Sequence, residues 1–236
     1  PLIPVGKQVG EMLWAHNRAM PKAEQERRTL DLFRMVKIPE PEKRLKSFPH
    51  EFSGGMRQRV MIAMALACRP SLLIADEPTT ALDVSIQDQI LKLMRKLQAE
   101  FGMSILFITH DLGVVAELCS RVVVMYGGLI MEEAPIDDIF ESPMHPYTQG
   151  LLASIPSLEQ DKSQRLTPIA GSPPDMIHPP KGCPFAPRCP HARGICMEQM
   201  PPYTQLSETR RSMCWLLTPE APSTDNPFKQ HGEVRV

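Results

Sequence analysis

Several common features are missing from this chain of 236 residues. No apolar run approaches the roughly 18 residues that a membrane-spanning helix needs, since the longer ones cover only positions such as 60–68 and 72–75. We also expect no signal peptide. The chain also has no excess of one charge, because its 26 basic and 27 acidic residues give a formal net charge of −1. A dedicated nucleic-acid binder would carry a basic surplus, so we exclude that class and expect a soluble, cytoplasmic protein.

A phosphate-binding P-loop is missing as well. That loop needs the pattern G-x-x-x-x-G-K-[ST], because its backbone N–H groups and its lysine surround the phosphates of a nucleotide. The one Gly-Lys pair of the chain is Gly6-Lys7, which is followed by Gln8 and has no glycine five residues before it. The chain also begins with Pro1 and not with Met. This first residue predicts that the chain is processed or is a piece of a longer protein.

Proline and cysteine are spread unevenly along the chain. Of 25 prolines, 8 lie before residue 135 and 17 lie from Pro135 onward. Four of the six cysteines lie between Cys183 and Cys214. Because a proline-rich, loop-rich segment builds little hydrophobic core, we expect this second part to need another source of stability. The composition therefore predicts an ordinary α/β domain followed by a loop-rich module.

Apolar periodicity predicts alternating helices and strands in the first part. The predicted helices cover residues 5–20, 21–36, 54–69, 84–101 and 112–120. Short apolar runs predict strands at 71–75 and 105–109, the first of them buried on both faces as in a parallel sheet. Two further strands, at 122–126 and 129–133, flank Gly127-Gly128, which is typical of a hairpin turn. We expect a mainly parallel sheet with an antiparallel edge.

The run Ser53-Gly54-Gly55, directly before a predicted helix, is typical of a phosphate site. Glycine lets a ligand approach the backbone closely, and the free N–H groups and the dipole of a helix start favour an anion. Gln58 lies in the first turn of the same helix. A Ser-Gly-Gly run alone is equally typical of a simple capped helix start. Its interpretation therefore depends on the motifs that accompany it.

Acidic and imidazole side chains follow the two predicted parallel strands. Asp76 and Glu77 come after the first strand, Asp83 follows soon after, and His110 comes after the second strand. Open α/β sheets bind ligands at this edge. There Asp76 could hold Mg²⁺, and Glu77 could orient or deprotonate an attacking water. Taken alone, an acidic pair is more often a solvated strand end, and a single histidine is more often structural or exposed.

The order and spacing of these motifs resemble the ATP-binding subunits of ABC transporters. The resemblance implies an ABC-type P-loop NTPase domain with a helical subdomain, which uses ATP and Mg²⁺. It makes residues 53–55 the signature motif, 72–76 the Walker B strand, Asp83 the D-loop aspartate and His110 the switch histidine. Met56 stands where the signature motif usually has Gln. The implied catalytic residues are Glu77 and His110, and the implied nucleotide-binding residues are Ser53, Gly54, Gly55, Gln58, Asp76 and Asp83.

Two further runs narrow the resemblance. Residues 49–59, which read PHEFSGGMRQR, and His145-Pro146-Tyr147-Thr148 are similar to those of oligopeptide and dipeptide importers. The resemblance implies that ATP hydrolysis drives peptide import from the cytoplasmic face of a membrane. The implied partners are a second ABC ATPase subunit in a heterodimer, two transmembrane permease subunits and, indirectly, a peptide-binding protein. Residues 5–36 are a candidate contact surface for the membrane subunits, although their apolar faces also fit ordinary helix packing.

In that family the P-loop and the Q-loop precede the segment that matches residues 1–10. We therefore expect an N-terminally truncated subunit that does not hydrolyse ATP alone. Its partial nucleotide-binding domain is predicted at 1–142, with a helical subdomain at 1–66 and a core at 67–142. A C-terminal extension is predicted at 143–217 and a flexible tail at 218–236. The alternative is a non-catalytic ABC-like adaptor or regulatory protein with a metal-binding C-terminal module.

The four clustered cysteines are spaced C-x5-C-x6-C-x17-C, at Cys183, Cys189, Cys196 and Cys214. Disulfides are rare in the cytoplasm, and the spacing matches neither the tight pairs of zinc fingers nor the common ferredoxin patterns. Spacing alone leaves zinc, an iron–sulfur cluster and free thiols open. The resemblance to peptide importers implies a [4Fe–4S] cluster on these four cysteines, with zinc as the alternative and His191 as a conceivable substitute ligand. Cys68 and Cys119 are predicted to be buried core thiols.

Overall fold

The computed structural model of the chain describes residues 1–155, 168–221, 226–230 and 233–234. Its elements fall into two compact units, Pro1–Leu118 and Cys119–Val236. The first unit contains α1 (Val5–His16), α2 (Lys22–Met35), α3 (Pro41–Arg44), α4 (Gly54–Leu66), β1 (Leu72–Asp76), α5 (Val84–Phe101), β2 (Ser104–Ile108) and α6 (Leu112–Leu118). The second contains β3 (Arg121–Tyr126), β4 (Leu129–Pro135), α7 (Ile136–Glu141), α8 (Pro146–Ala153), α9 (Gly194–Glu198), β5 (Tyr203–Ser207), β6 (Arg210–Met213), β7 (Lys229–Gln230) and β8 (Glu233–Val234). Among these helices, none is long and apolar enough to cross a membrane.

The core of the first unit is built from one face of each longer helix. From α1 and α2, Val9 and Phe33 are fully buried in this cluster. The longest helix, α5, contributes apolar residues at helical spacing, namely Ile90, Leu91, Leu93, Met94 and Leu97. It ends before Gly102, whose φ of 62° is the left-handed conformation that glycine adopts without strain. The bounds predicted for this helix are therefore confirmed.

Strands β1 and β2 form a two-stranded parallel sheet. Their register runs from Leu72 opposite Ser104 to Asp76 opposite Ile108. The inner face of β1 lies in the core, whereas on the outer face Ile74 is 61% exposed and Ile108 is 45% exposed. The prediction that the first strand is buried on both faces is therefore wrong for this structure. Nothing in the described part of the chain covers the outer face, so its apolar residues contact solvent.

The second unit contains a four-stranded antiparallel sheet in the order β3-β4-β6-β5. Gly127 and Gly128, with φ of 56° and 76°, join β3 to β4. Two successive left-handed residues are what a two-residue hairpin requires, so the predicted hairpin is confirmed. On its other side β4 pairs with β6, Glu133 lying opposite Arg211. The hairpin thus belongs to the sheet of the second unit, whereas the sequence predicted it at the edge of the parallel sheet.

A buried ion pair joins β4 to β6. The side chains of Glu132 and Arg210 are 0% and 3% exposed, and Nη2 of the arginine lies 3.5 Å from Oε1 of the glutamate. The same oxygen accepts the N–H of Met144 at 2.7 Å, and the arginine donates to the carbonyl of Ser142. Burial raises the pKa of the Glu132 carboxyl, although the hydrogen bond from Met144 and the charge of Arg210 oppose that shift. The pair therefore ties the loop before α8 to the sheet.

Part of the predicted flexible tail is packed. Phe228 is 2% exposed and lies in an apolar cluster with Leu216 and Leu217. The side-chain amide of Asn226 donates to the carbonyl of Leu216 at 2.8 Å. The prediction of a flexible segment over 218–236 is wrong for residues 226–230. The aromatic ring of Phe228, although its neighbours in the sequence are polar, packs into the apolar cluster of Leu216 and Leu217. Residues 222–225, 231–232 and 235–236 of this segment lie outside the described residues.

Candidate functional site

Glu77 lies at the carboxyl end of β1 in an uncommon backbone conformation. Its φ is 43°, in the left-handed region that a glutamate adopts only at a cost. Its N–H donates to the carbonyl of Ile108, the last residue of β2, at 2.9 Å. This hydrogen bond fixes the turn next to the second strand. The strained conformation therefore places the carboxylate at the edge where the two parallel strands end.

The Glu77 carboxylate has two side-chain neighbours. Its Oε2 accepts the hydroxyl of Thr80 at 2.9 Å, and its Oε1 lies 3.2 Å from Nδ1 of His110. The hydroxyl, and then the imidazole, hold the pKa of the Glu77 carboxyl below its usual value. The carboxylate is therefore ionised at neutral pH and half exposed, so it can accept a hydrogen bond or a proton from a water. Thr80 is not among the residues that the sequence predicted for this site.

Asp76 is the last residue of β1, and its side chain is exposed at the same edge. In the described part of the chain, no group of three or more His, Cys, Asp or Glu side chains is arranged to hold a metal ion. Mg²⁺ is usually bound by one or two carboxylates together with waters and the phosphates of a substrate. Asp76 therefore fits a magnesium ion that arrives with a nucleotide, and not one held by protein side chains alone.

Helix α4 begins at Ser53-Gly54-Gly55, as predicted. Ser53 is the N-cap, and its hydroxyl accepts the N–H of Met56 at 3.4 Å. A side chain on Gly55 would lie 2.5 Å from Cγ2 of Ile86, so this buried glycine allows α4 and α5 to approach each other. A side chain on Gly54, which is exposed, would meet Leu82 at 3.5 Å, an ordinary contact. The second glycine thus serves helix packing, which the sequence pattern did not reveal.

The predicted nucleotide-site residues fall into two groups in the structure. One is the pair of Glu77 and His110 with the neighbouring Asp76. The other is the start of α4, which lies against the start of α5, where Asp83 is the N-cap and accepts the N–H of Ile86 at 3.0 Å. Gln58 is half-buried in the first turns of α4. Asp83 therefore has a structural role as a helix cap whatever else it binds.

The four clustered cysteines line one small apolar cavity in the second unit. Its volume is about 20 Å³. The loop of Cys183 is joined to α9, because its N–H donates to the carbonyl of Cys196 at 2.8 Å. His145 and His191 also line the cavity. The described thiols do not form a group arranged around a single metal ion, so the structure brings the predicted residues together around a cavity and not at one point.

Burial changes the acidity of these thiols. Desolvation raises the pKa of Cys189 to about 11, and it also raises the pKa of Cys183 and of Cys214. A cysteine binds a metal as the thiolate, so binding releases a proton from each ligand. These three thiols therefore stay protonated at neutral pH unless a positive charge in the cavity stabilises the thiolates.

The two remaining cysteines differ from each other. Cys119 is half-buried and desolvation raises its pKa. Cys68 is exposed, with its sulfur 3.8 Å from the carbonyl of Met12. The prediction of a buried thiol is wrong for Cys68, because α4 ends at Leu66 and the cysteine lies in the turn beyond it.

Comparison with known proteins agrees with both parts of the chain. A family model described as "ABC transporter" matches residues 5–80, and one described as "Oligopeptide/dipeptide transporter, C-terminal region" matches residues 131–196. The chain is 55% identical over 235 residues to the oligopeptide transport ATP-binding protein OppD of Bacillus subtilis, an alignment that covers 100% of this chain and 65% of that protein. The chain belongs to the oligopeptide/dipeptide family of ABC transporter ATP-binding proteins. The predicted resemblance is therefore confirmed.

Other relatives in this ABC transporter family agree with the assignment. The chain is 53% identical over 215 residues to the OppD of Salmonella typhimurium, covering 91% of this chain and 63% of that protein. It is 51% identical over 216 residues to the dipeptide transport ATP-binding protein DppD of Bacillus subtilis, covering 92% and 64%. The chain thus spans 63% to 65% of the length of these curated relatives.

Solved structures confirm the predicted α/β, ABC-type fold class. The chain is similar to the ATP-binding cassette MJ0796 in a dimeric post-hydrolysis state bound to ADP and Pi, with a TM-score of 0.51 and 31% identity. The similarity covers 58% of this chain and 58% of that one. The ABC-type domain predicted from the sequence therefore resembles a solved ATP-binding cassette.

Proposed function

We propose that this chain belongs to the ATP-binding, energy-coupling subunit of an importer for oligopeptides or dipeptides. The observation that carries the proposal is the contact of 3.2 Å between Glu77 and His110, at the carboxyl ends of two parallel strands. An ionised carboxylate beside an imidazole at that edge can position a water for attack on a phosphate. The names of the OppD and DppD relatives support peptides as the transported substrate.

In this mechanism Glu77 orients and deprotonates the attacking water, and His110 holds the carboxylate toward the γ-phosphate. Asp76 would hold a Mg²⁺ ion that arrives with the nucleotide, and that ion would offset the negative charge of the phosphates. The start of α4, with Ser53 and the two glycine N–H groups, would bind the phosphates of an ATP held by a second ATPase subunit, as the resemblance to ABC transporters implies; a helix start favours such an anion. Gln58 and Asp83 belong to that same surface.

The phosphates need a P-loop that these 236 residues do not contain. We therefore propose that the chain alone binds ATP poorly and does not hydrolyse it. The test is the Mg²⁺-dependent ATPase rate of the purified chain beside its Glu77→Gln variant, with both expected at background. A clear rate that the substitution abolishes would show that the phosphates are held in some other way and would contradict this part of the proposal.

The proposed partners are a second ABC ATPase in a heterodimer and two transmembrane permease subunits, which a peptide-binding protein supplies with peptide. The chain would then work at the cytoplasmic face of the membrane as a peripheral subunit. The test is co-purification from membranes of the permease subunits with a polypeptide that contains this chain and a P-loop. Recovery of that polypeptide without any permease subunit would contradict the coupling role.

We propose further that Cys183, Cys189, Cys196 and Cys214 hold a [4Fe–4S] cluster, with zinc as the alternative. One observation supports a bound group at these residues: the four thiols line one apolar cavity. When bound, the cluster would supply a structural link between loops or a redox-sensitive one, because ATP hydrolysis transfers no electrons.

Anaerobic purification of the chain tests this cofactor. We expect iron and acid-labile sulfide in cluster stoichiometry, with both lost in the Cys189→Ser variant. The matched control is Cys68→Ser, which removes an exposed thiol of the first unit and leaves the iron content unchanged. Colourless protein that carries stoichiometric zinc would contradict the cluster, and protein with neither metal would contradict the whole metal site.

A further inference from the structure

One loop carries two of the four cavity cysteines, and its two ends are held in different ways. The loop runs from Gly182 to Cys189 and contains Cys183. At its first end the N–H of Cys183 donates to the carbonyl of Cys196, on α9, at 2.8 Å. A side chain on Gly182 would collide with that carbonyl, so a glycine is needed for this close approach. The first end is therefore held by the backbone.

At the second end of the loop, two backbone hydrogen bonds form a turn. The N–H of Arg188 donates to the carbonyl of Phe185 at 2.9 Å, and the N–H of Cys189 donates to the carbonyl of Ala186 at 3.2 Å. The result is a short 3-10 turn over Ala186–Arg188, directly before Cys189. These two bonds are local, so they shape the turn and do not attach it to another element. Attachment of this end therefore depends on side chains.

The Arg188 guanidinium makes three hydrogen bonds to residues outside the loop. Its Nη1 donates to the hydroxyl of Tyr126, the last residue of β3, at 3.1 Å. Its Nε donates to the carbonyl of Ala170 and its Nη2 to the carbonyl of Ile169, each at 2.9 Å. Because a guanidinium is planar and rigid, three bonds in different directions fix both its position and its orientation. The residue directly before Cys189 is thus tied to the sheet and to a second backbone segment.

The segment that supplies the two carbonyls is shaped to receive the guanidinium. Gly171 follows it with a φ of 79°, a conformation that other residues adopt only at a cost. A side chain on Gly171 would also lie 3.3 Å from Cγ of Arg188, closer than an ordinary contact. Ile169 packs against the apolar cluster that contains Tyr126, and Cys189 packs against the same cluster. Two of the three arginine bonds therefore end on residues of the cluster that Cys189 contacts.

We propose that Arg188 is a positioning residue for the four-cysteine site, holding Cys189 at the cavity through the three hydrogen bonds of its guanidinium. The proposal rests on the metal site put forward under the proposed function. Groups that hold a ligand in place contribute to metal affinity although they never touch the metal. The guanidinium stays protonated and has no lone pair to offer a metal, so its contribution is geometric. Substitutions that remove or displace its bonds should therefore weaken the site.

Three substitutions weaken this attachment in different ways. Arg188→Lys keeps the positive charge and the apolar stem, but one ammonium group cannot span the three acceptors. Tyr126→Phe removes one acceptor and keeps the aromatic ring. Gly171→Ala leaves the arginine intact and strains the segment that supplies the two carbonyls. The matched control is Arg211→Lys, at a partly exposed arginine of the same unit whose ion pair with Glu133 a lysine can keep.

The first measurement is loss of iron to a chelator, followed by the visible absorption of the cluster. We expect Arg188→Lys to lose iron about 10- to 100-fold faster than the unmodified chain, which is the usual effect of removing a group that holds a ligand in place. Tyr126→Phe and Gly171→Ala should lose iron at rates between these two, because each leaves part of the attachment. Arg211→Lys should stay within about twofold of the unmodified chain. Equal loss from Arg188→Lys and Arg211→Lys would overturn the proposal.

The second measurement needs no metal. In chelator-treated, reduced chain, thiol labelling followed by mass spectrometry gives a rate for each cysteine. We expect Cys189 to be labelled about tenfold faster in Arg188→Lys, with Cys214 unchanged and the exposed Cys68 as the internal standard. Tyr126→Phe should show the same selectivity with a smaller increase, since it removes one bond of the three.

The labelling pattern also keeps the two proposals apart. Faster labelling of all four cavity thiols alike in both variants would indicate general unfolding of the unit and would overturn the positioning role. An unchanged rate at Cys189 in both variants would overturn it as well. An unmodified chain without iron or zinc would refute the metal site, whereas the selective effect at Cys189 would still decide whether Arg188 holds this thiol in place.

Discussion

The two units of this chain hold their candidate sites in opposite ways. In the first unit Glu77 and His110 lie at an open sheet edge, and the histidine side chain is 80% exposed. In the second unit the four thiols line an apolar cavity, with Cys183 and Cys214 buried. An open edge suits a substrate that must enter and leave, whereas a cavity lined by buried thiols suits a group that stays bound. This difference supports the proposal that the first unit carries the chemistry and that the second holds a structural link.

The sheets of the two units show the same contrast. The parallel pair of the first unit leaves one apolar face in solvent, at residues such as Ile74 and Leu106. The antiparallel sheet of the second unit instead buries charged groups, because Glu132 and Arg210 are paired inside it. Parallel sheets are normally covered on both faces, so the first sheet is the kind of surface that a further layer of protein covers. Substitutions that destabilise one unit can test whether the other unit keeps its own stability.

The largest expected effect is on the open edge. In a polypeptide that contains this chain and a P-loop, Glu77→Gln should lower the ATPase rate about 10²- to 10⁴-fold, because an amide cannot take a proton from water. ATP binding should be retained, which equilibrium binding of labelled ATP would measure. The control is Glu100→Gln, an exposed glutamate on α5 that should leave the rate unchanged. An unchanged ATPase rate in the Glu77→Gln variant would show that this edge of the sheet has no catalytic role.

The next effect belongs to the second unit. Arg210→Met should destabilise that unit by about 3–5 kcal/mol, because Glu132 would be left buried without its partner. The control is Arg211→Met, since Glu133 keeps its second arginine, Arg121, and we expect a loss of under about 1 kcal/mol. Urea unfolding would measure the loss of stability, and hydrogen exchange would show which unit loses protection. Equal loss of protection in the first unit would show that the two units do not have separate stability.

A smaller effect is expected at the packing of α4 on α5. Gly55→Ala should cost the first unit about 1–3 kcal/mol, because its Cβ would lie 2.5 Å from Cγ2 of Ile86, a β-branched side chain that cannot turn aside easily. Gly54→Ala is the matched control, since its Cβ would make only an ordinary contact. Chemical denaturation measures both variants. Equal stability of the two would mean that the glycine at position 55 is there for a ligand and not for packing.

Local signals made most of this architecture predictable. The apolar period of α5, the glycine after it and the two glycines of the hairpin each act within a few residues, so the sequence alone located them. The partnership of β4 with β6 and the burial of Phe228 depend on contacts across about 80 and 12 residues, and no local pattern contains that information. At the site the motifs identified Glu77 and His110. The Thr80 hydroxyl and the packing role of Gly55 required coordinates.

The smallest expected effect concerns Asp83, where a structural role and a nucleotide-binding role compete. As the N-cap of α5 its carboxylate accepts the N–H of Ile86 at 3.0 Å, so Asp83→Ala should cost about 1 kcal/mol. Asp83→Asn should leave stability nearly unchanged, because Asn is an equally good N-cap. Thermal unfolding measures the capping role, and ATPase activity of a polypeptide with a P-loop measures the other. If Asp83→Asn keeps both stability and activity, the aspartate acts as a cap only. If it keeps stability but loses activity, the negative charge itself serves the open edge of the first unit.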